Sequence, residues 1–409
     1  PAAVPLDITG SVGFYAEGPS RPSQLRRGFR QYLEAARAAP LGQVLHYNSW
    51  YDLRSEKNWG HLFREGQPVH RMTIDSIAER LDAMNRNLSV RGAGTLDAFL
   101  LDDGWDDHDS LWEAAREVFP QGFGPLLAKA AEWGTQMALW MSPFGGYMGR
   151  DSRLRLGRRE GLEMGPMGFG VGFKLSGPKY FKRFEEVTTA RLAEGFNMFK
   201  FDGMGGGLGQ SGAGEFVADF EAMLLLITRL RRRSEALAER EDAGPGGRGG
   251  RKKKRRLWIN LTIGTWPSPF WLLWADSIWR DGIDVGQEGE GPPHERWLNF
   301  RDASLLRALR RGPLLPLPAL MQHGLVWSKA DLAAPMWDGD AESMRKEALT
   351  FFLSGCGLQE LYLQLETVGP QHWDYLAEMV KFTRAHAAVL RDAHWVGGDP
   401  TRGEPYGVA

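Results

Sequence analysis

Acidic residues interrupt three apolar segments of the sequence, each where a turn is expected to begin. A carboxylate buried without a partner is costly, so its presence in such a segment indicates a use. Two carboxyl groups facing each other across a pocket supply what acetal cleavage requires. The ionised group attacks or supports an oxocarbenium-like centre, and the protonated group donates to the leaving oxygen. The candidates are Asp102 and Asp103 in "LLDDGW", Asp202 in "FKFDG", and Asp276, Asp281 and Asp284 in "WADSIWRDGIDVG".

Lys200 stands two residues before Asp202 in "NMFKFDG". Residues two apart on a strand point to the same face, so both side chains should face the same pocket. We expect Lys200 to favour the ionised form of Asp202 and to donate hydrogen bonds to a hydroxyl-rich ligand. The alternative is an internal Lys–Asp pair that closes the bottom of a barrel. The glycines that begin at Gly203 indicate that the strand ends here, which favours a position in a pocket over one at the bottom of the barrel.

Arg280 and Asp284 are four residues apart, with Gly282 between them. This spacing permits a turn that brings the guanidinium and the carboxylate into one pocket, where Asp284 could take up and release a proton. Asp281 could serve instead. A surface salt bridge is the alternative that needs no chemistry.

Other chemistries receive less support. The cluster "DDGWDDHD", residues 102–109, offers oxygen ligands of the kind that Mg²⁺ or Ca²⁺ prefers, but it lacks the spacing of a known metal-binding loop. The glycines of "GMGGGLGQSGAG" lack the lysine that ends a phosphate-binding loop, and an aspartate precedes them. Cys356 is more typical of a small buried residue than of a nucleophile. We therefore expect neither a metal nor a cofactor.

The composition is that of a folded protein without strong charge. Of 409 residues, 43% are hydrophobic and 25% charged, and the net charge of −1 favours neither nucleic acid nor an anionic membrane as a partner. No apolar run reaches the roughly 18 residues that span a bilayer. Cys356 is the single cysteine, so an internal disulfide is excluded. The 16 tryptophans include several in expected loops, as in "NSWYD" and "GTWPSPFW", where aromatic planes could hold sugar rings.

Short apolar segments alternate with longer segments of helical period, which is the pattern of repeated βα units. Helices are expected over residues 74–84, 125–133, 179–194, 216–237, 301–310, 341–352 and 372–386. Eight strands are expected, over residues 43–50, 97–104, 136–143, 197–203, 256–264, 275–282, 318–325 and 358–364. Eight units in a chain of this length predict an α/β fold, a (β/α)8 TIM barrel, with its chemistry at the carboxyl ends of the strands.

The repeat also suggests how the chain is divided. We expect an N-terminal extension over residues 1–40, a catalytic barrel over 41–392, and a C-terminal tail over 393–409 that leads into a further domain. The segment 241–256 is rich in glycine and then in basic residues, which is typical of a disordered insertion. A nucleic-acid patch is the alternative, but no aromatic residue separates the charges. Because the chain begins with Pro1, we expect a processed or trimmed product.

Four motifs in order, "HYNSWYD", "LLDDGW", "MFKFDG" and "WRDGID", resemble those of the α-galactosidase clan of retaining glycoside hydrolases, families 27 and 36. The resemblance is nearest to bacterial sequences allied to family 36, including those described as enterotoxin-like. It extends over approximately Gln43 to Arg391. It implies a glycosidase that cleaves a terminal α-linked galactose, or a related α-N-acetylgalactosaminide, in an oligosaccharide or glycoconjugate.

The resemblance also implies roles for individual residues. Asp202 matches the nucleophile that forms a covalent glycosyl-enzyme, and Asp284 matches the acid/base. Retention predicts that these two carboxyl groups lie about 5 to 5.5 Å apart. The implied substrate-binding residues, which include Asp102 and Asp103 as a pair gripping O4 and O6 of galactose, are Trp50, Asp102, Asp103, Trp140, Lys200 and Arg280.

The sequence departs from the clan in some respects, and other functions stay open. Met204 stands where family 27 commonly has a cysteine, and "NLTIGTWPSPFW" matches no pattern for a 2-hydroxyl or a 2-acetamido group. The alternatives are a transglycosylase that resembles raffinose synthases, a carbohydrate-binding barrel without turnover, and a metal-dependent barrel hydrolase.

Overall fold

A computed structural model describes residues 22–54, 70–167, 170–203, 217–243, 256–330, 333 and 335–409. Eight parallel strands follow one another around a closed barrel, and the last pairs with the first through Val44 and Leu358. This confirms the predicted (β/α)8 barrel and all eight predicted strands. Their bounds are β1 Val44–Asn48, β2 Ala98–Leu101, β3 Gln136–Met141, β4 Met198–Phe201, β5 Trp258–Leu261, β6 Ser277–Trp279, β7 Leu320–Met321 and β8 Leu358–Leu363.

The strands are buried on both faces, because helices cover the outside and side chains fill the inside. In β4 successive side chains alternate between the outer and the inner face of the barrel. Phe201 packs against Phe184 of the preceding helix, Pro178–Glu194, with 6.2 Å between ring centroids, so Lys200 points to the opposite face, into the barrel. Lys200 is paired in register with Trp140 of β3 and with Asn260 of β5. The pairing brings these three side chains to one level of the barrel interior.

All seven predicted helices are present, several with longer bounds, and the described part of the chain contains three further helices outside the predicted set. Glycine ends the third helix at Gly134, which adopts φ +70° as a left-handed cap. The helices are α1 Pro22–Ala36, α2 Ile74–Val90, α3 Gly124–Trp133, α4 Arg150–Glu160, α5 Pro178–Glu194, α6 Val217–Ala243, α7 Pro293–Arg311, α8 Ala341–Phe352, α9 Pro370–Ala385 and α10 Ala387–Leu390.

Several short strands were not predicted. Strand 325–327 pairs in parallel with residues 361–363 of β8, and 53–54 pairs with 70–71. A hairpin of 164–167 and 170–173 lies with α4 between β3 and α5. Among the described residues, no helix combines the length and the apolar character needed to cross a bilayer.

The predicted C-terminal tail contains a hairpin of strands 395–397 and 406–408. Trp395 stacks on Tyr406 with 4.8 Å between ring centroids, and the Tyr406 hydroxyl donates to Asp302 of α7 at 2.6 Å. Arg310 of the same helix donates to Asp399 at 2.7 Å. The domain boundaries stay a prediction. Most of the predicted insertion, and residues 1–21 of the predicted extension, lie outside the described residues.

Candidate active site

A cavity of about 370 Å³ opens at the carboxyl ends of the barrel strands. Asp102, Asp202 and Thr262 each follow directly on the last residue of a strand, so the chain places them at this end. Six of the eight predicted site residues line the cavity. The lining consists of Trp50, Asp102, Trp140, Tyr147, Met148, Lys200, Asp202, Thr262, Ile263, Trp279, Asp284, Met321 and His323.

Asp202 is buried and held from two sides. Trp140 Nε1 donates to Asp202 Oδ2 at 2.9 Å, and the Thr262 hydroxyl donates to Oδ1. Tyr147 donates to the same Oδ1 at 3.4 Å. Burial raises the pKa of Asp202, while the Lys200 charge and the hydrogen bonds from Thr262 and Trp140 oppose the rise. The carboxylate is therefore fixed in position and receives donors that favour its ionised form.

Lys200 forms its ion pair with Asp102 and not with Asp202. Its Nζ lies 2.8 Å from Asp102 Oδ2. Burial alone would lower the pKa of Lys200, but Asp102, Glu360 and Asp202 together raise it, so the ammonium keeps its charge. Because this pair lies in the cavity wall at the strand ends, it does not close the bottom of the barrel.

The backbone conformation of Gly203 explains why a glycine follows Asp202. Its φ is +80°, and a Cβ built there would lie 1.7 Å from Phe144 Cε1. Any side chain would thus meet both backbone strain and a direct clash. The residues that follow, from Met204 through the remaining glycines of the motif, lie outside the described part of the chain.

Arg280 is buried behind the cavity and secures the turn that carries Asp284. Its guanidinium donates to the main-chain oxygens of Asp281 at 2.7 Å, Ile283 at 3.0 Å and Asp284 at 2.9 Å. It also donates to Gln322 O at 3.3 Å. Burial lowers the pKa of Arg280 to about 10, with Asp284 opposing. The predicted neighbour of Asp284 therefore binds its main chain and does not line the cavity.

Asp284 and Asp281 occupy different environments. Asp284 lines the cavity with 46% of its side chain exposed, and burial of the rest raises its pKa, with Lys200 and Arg280 opposing. Asp281 has φ +75°, forms an ion pair with Arg311, and is not part of the cavity lining. Of the two candidates for acid/base, only Asp284 faces the cavity.

Asp103 turns away from the cavity that Asp102 lines. Its Oδ2 accepts from the Met148 main-chain nitrogen at 3.1 Å, and its Oδ1 lies 3.8 Å from Arg153. Burial raises the pKa of Asp103 to about 8, and the nearby Asp106 raises it further while Arg153 opposes. The two aspartates of "LLDDGW" thus have different surroundings, and contact of both with one sugar stays a prediction.

The acidic cluster weighed as a metal site is arranged around a cation of the protein itself. Asp103, Asp106 and His108 bring ligand atoms within 4.8 Å of one another. However, Arg153 donates to both carboxylate oxygens of Asp106, at 2.9 and 2.7 Å. The guanidinium supplies the positive charge that a metal ion would supply.

Seven of the lining residues were not predicted from the sequence, and four of these lie beside the two aspartates. Tyr147 and Thr262 contact Asp202 as described, and Trp279 and His323 form the wall beside Asp284. Thr262, Trp279 and His323 stand at or just after strand ends, so their positions were available signals. Tyr147 lies in an irregular segment after β3 that carries no periodicity.

No protein-family model matches the chain, and no curated protein sequence is similar enough to count as a match. Solved structures of family 36 α-galactosidases do match. A variant of AgaA from Geobacillus stearothermophilus, in complex with 1-deoxygalactonojirimycin, aligns with 93% of this chain and 48% of its own, at 13% identity and a TM-score of 0.59. The Lactobacillus brevis α-galactosidase aligns with 92% of this chain and 45% of its own, at 13% identity and a TM-score of 0.54.

AgaB from Geobacillus stearothermophilus aligns with 93% of this chain and 47% of its own, at 15% identity and a TM-score of 0.56. The chain therefore spans about half the length of these enzymes. At such identities the likeness concerns the fold. The comparison therefore shows that this chain shares the barrel fold of family 36 α-galactosidases.

Proposed function

We propose that the chain is a glycoside hydrolase that removes a terminal α-linked galactose, or a closely related sugar, by double displacement. One observation carries the proposal: Asp202 and Asp284, predicted as nucleophile and acid/base, line the same cavity in contrasting environments. Such a pair matches the two roles that the reaction requires. The fold shared with family 36 α-galactosidases supports an enzyme of this type.

In the first step, a carboxylate oxygen of Asp202 attacks the anomeric carbon as the bond from that carbon to the leaving oxygen breaks. Protonated Asp284 gives its proton to the leaving oxygen, and a covalent glycosyl-enzyme remains. Trp140 and Thr262 hold the attacking carboxylate, and the Lys200 charge favours its ionised form. The burial that raises the pKa of Asp284 favours the protonated form it needs here.

In the second step, Asp284 is ionised and removes a proton from water. The water oxygen attacks the anomeric carbon, and the bond to Asp202 breaks. Because 46% of the Asp284 side chain is exposed, the carboxylate has access to the water that this step consumes. Two inversions at one carbon give net retention, which is the stereochemical outcome we propose.

The cavity wall suits one sugar with an apolar face and a polar edge. Trp50, Trp140 and Trp279 supply aromatic surface. Lys200 and Asp102 supply a donor and an acceptor for hydroxyl groups. Two solved AgaA variants with this fold hold raffinose and stachyose, which supports an oligosaccharide substrate.

The test uses aryl α-galactoside and aryl α-N-acetylgalactosaminide, with the wild-type protein and Asp202→Ala. Turnover of one substrate, lost in the variant, is expected, and proton NMR of the first product should show the α-anomer. No turnover of either would refute the proposal, and a β-anomer would refute retention. Sucrose added as an acceptor separates hydrolysis from transfer: mainly free galactose supports a hydrolase, and mainly trisaccharide supports the raffinose-synthase-like alternative.

A further inference from the structure

His323 is a buried histidine in the cavity wall beside Asp284, and its backbone conformation is uncommon. It follows β7 and has φ +65°, a region that side chains other than glycine rarely adopt. Gly324 continues the turn at φ +60°, where a Cβ would lie 2.2 Å from Glu360 O. A strained conformation of this kind persists when its surroundings determine it, and such residues cluster at functional sites.

Both ring nitrogens of His323 face polar atoms. The Tyr51 hydroxyl lies 3.1 Å from Nε2, and the Tyr362 hydroxyl lies 3.5 Å from Nδ1. Nδ1 also lies 3.9 Å from Asp284 Oδ1. The edge of the ring meets Trp279, with 5.5 Å between centroids. The imidazole is thus held on three sides and directs Nδ1 toward the carboxylate of Asp284.

Arg280 links the histidine to the carboxylate through the main chain. Its guanidinium binds the carbonyls of the 281–284 turn and also that of Gln322, the residue before His323. The turn that carries Asp284 and the turn that carries His323 are therefore attached to a single buried cation. Their relative position depends on the rigid fork of one side chain.

We propose that His323 is a positioning residue for Asp284: its neutral imidazole donates the Nδ1 proton to the Asp284 carboxylate, while Tyr51 donates to Nε2. The proposal rests on the acid/base role of Asp284 given above. The present 3.9 Å is longer than a hydrogen bond, but the Asp284 side chain is partly exposed, so its rotation can close that gap in the free enzyme.

The charges around the pair favour a neutral imidazole. Burial lowers the pKa of His323 well below its usual value, the Arg280 and Lys200 charges lower it further, and Asp102 opposes. A neutral donor can steady the ionised carboxylate without holding it permanently ionised, as an imidazolium would. The titratable groups that face the pair are Tyr51, Asp102, Tyr147, Lys200, Arg280, Glu360 and Tyr362.

The experiment compares the pH profile of kcat/KM on an aryl α-galactoside for wild type, His323→Asn and His323→Gln. Asparagine tolerates a positive φ, and His386→Gln on an exposed helix end is the matched control. A donor to the ionised form lowers the pKa of Asp284, so its loss raises that pKa. Because the first step needs protonated Asp284, the basic limb should move upward by about one pH unit in His323→Gln, whose amide lies at the position of Nε2. It should move less in His323→Asn, because the asparagine amide nitrogen lies at the position of Nδ1 and can replace it as the donor. The control should leave the limb in place.

In His323→Gln, a basic limb that stays in place or moves downward would overturn the role of His323, since a purely structural residue would lower activity without moving the limb. If both variants fail to fold, ¹⁵N NMR of the wild-type protein labelled at histidine decides the question. A neutral ring protonated at Nδ1 between pH 5.5 and 7.5, roughly the range of histidine titration, is expected. An imidazolium, or a proton on Nε2, would refute the proposal. A wild type without turnover contradicts the proposed function instead.

Discussion

The two aspartates of the cavity are held in opposite ways. Asp202 is buried, and side-chain donors from β3 and from the end of β5 contact its carboxylate. Asp284 is fixed through its main chain by Arg280, and nearly half of its side chain is open to the cavity. A nucleophile must attack one carbon from one direction, whereas an acid/base must serve a leaving oxygen and then a water. The difference in restraint corresponds to the difference in task.

The largest expected effect comes from removing the carboxylate of Asp202, the more tightly held of the two aspartates. Asp202→Gly should lower kcat for an aryl α-galactoside by roughly 10⁴-fold or more, because the carboxylate that forms the covalent intermediate is removed. Added azide can attack in place of the carboxylate and should give the β-galactosyl azide, which NMR identifies. An α-galactosyl azide from this variant would contradict the assignment of Asp202.

Removing the carboxylate of Asp284 should have a smaller effect on activity, and its size should depend on the leaving group of the substrate. Asp284→Asn should lower kcat/KM for raffinose by about 10² to 10⁴-fold, since an alcohol leaving group needs a proton. An activated dinitrophenyl galactoside should lose far less. Asp281→Asn is the matched control and should stay within about 2-fold of wild type, as expected for a side chain outside the site. Equal losses for Asp281→Asn and Asp284→Asn would contradict the distinction between the two residues.

The ion pair of Lys200 and Asp102 should influence Asp202 through its charge. Lys200→Met leaves Asp102 buried without a partner and should lower the free energy of unfolding by about 3 to 5 kcal/mol. It should also raise the pKa of Asp202, because the cation that opposes the effect of burial is lost. Asp202 must be ionised to attack, so the acidic limb of kcat/KM should move to higher pH.

The double variant Lys200→Met/Asp102→Asn separates these two effects. Urea unfolding should show stability recovered relative to the single variant, because no buried charge is left unpaired. The acidic limb should return part of the way, because the negative charge of Asp102, which raises the pKa of Asp202, is removed while the lysine is still absent. If the acidic limb of the single Lys200→Met variant stays at its wild-type position, the charge of Lys200 does not control Asp202.

The smallest effects should come from the glycines of the two turns. Gly203→Ala and Gly282→Ala both place a side chain at positive φ, which costs about 1 to 2 kcal/mol in each. Only at Gly203 does the new Cβ also clash, at 1.7 Å from Phe144, whereas at Gly282 its nearest neighbour is Arg280 Nη1 at 3.6 Å. Thermal unfolding should therefore show the larger loss for Gly203→Ala. Equal losses would indicate that Phe144 can move aside.

The sequence predicted the barrel well, because most of the parallel strands are short, buried, mainly apolar segments that a polar residue follows. It also predicted most of the cavity. Trp50, Asp102 and Asp284 lie at strand exits or in the turns that follow them, and the strand period directs Trp140 and Lys200 inward. These signals are local, so one sequence is enough to show them.

The contacts of Arg280 and Asp103 could not be predicted from local sequence patterns. The spacing of Arg280 and Asp284 predicted a nearby pair, but the guanidinium binds main-chain oxygens that only the folded turn brings together. Asp103 follows Asp102 directly and still points away, because Arg153 and the Met148 nitrogen from a later segment attract it. The partners that decide these directions are distant in sequence or belong to the backbone.

The attachment of the 281–284 turn to a buried guanidinium bears on how this site could change over time. The turn is secured through carbonyl groups, which every residue type possesses, so the identity of its side chains contributes little to its shape. Ile283, at its tip, is 66% exposed. Substitutions there should be tolerated by the fold while altering the surface next to the acid/base. This position is therefore a natural starting point for evolving, in nature or in the laboratory, a preference for one leaving group over another.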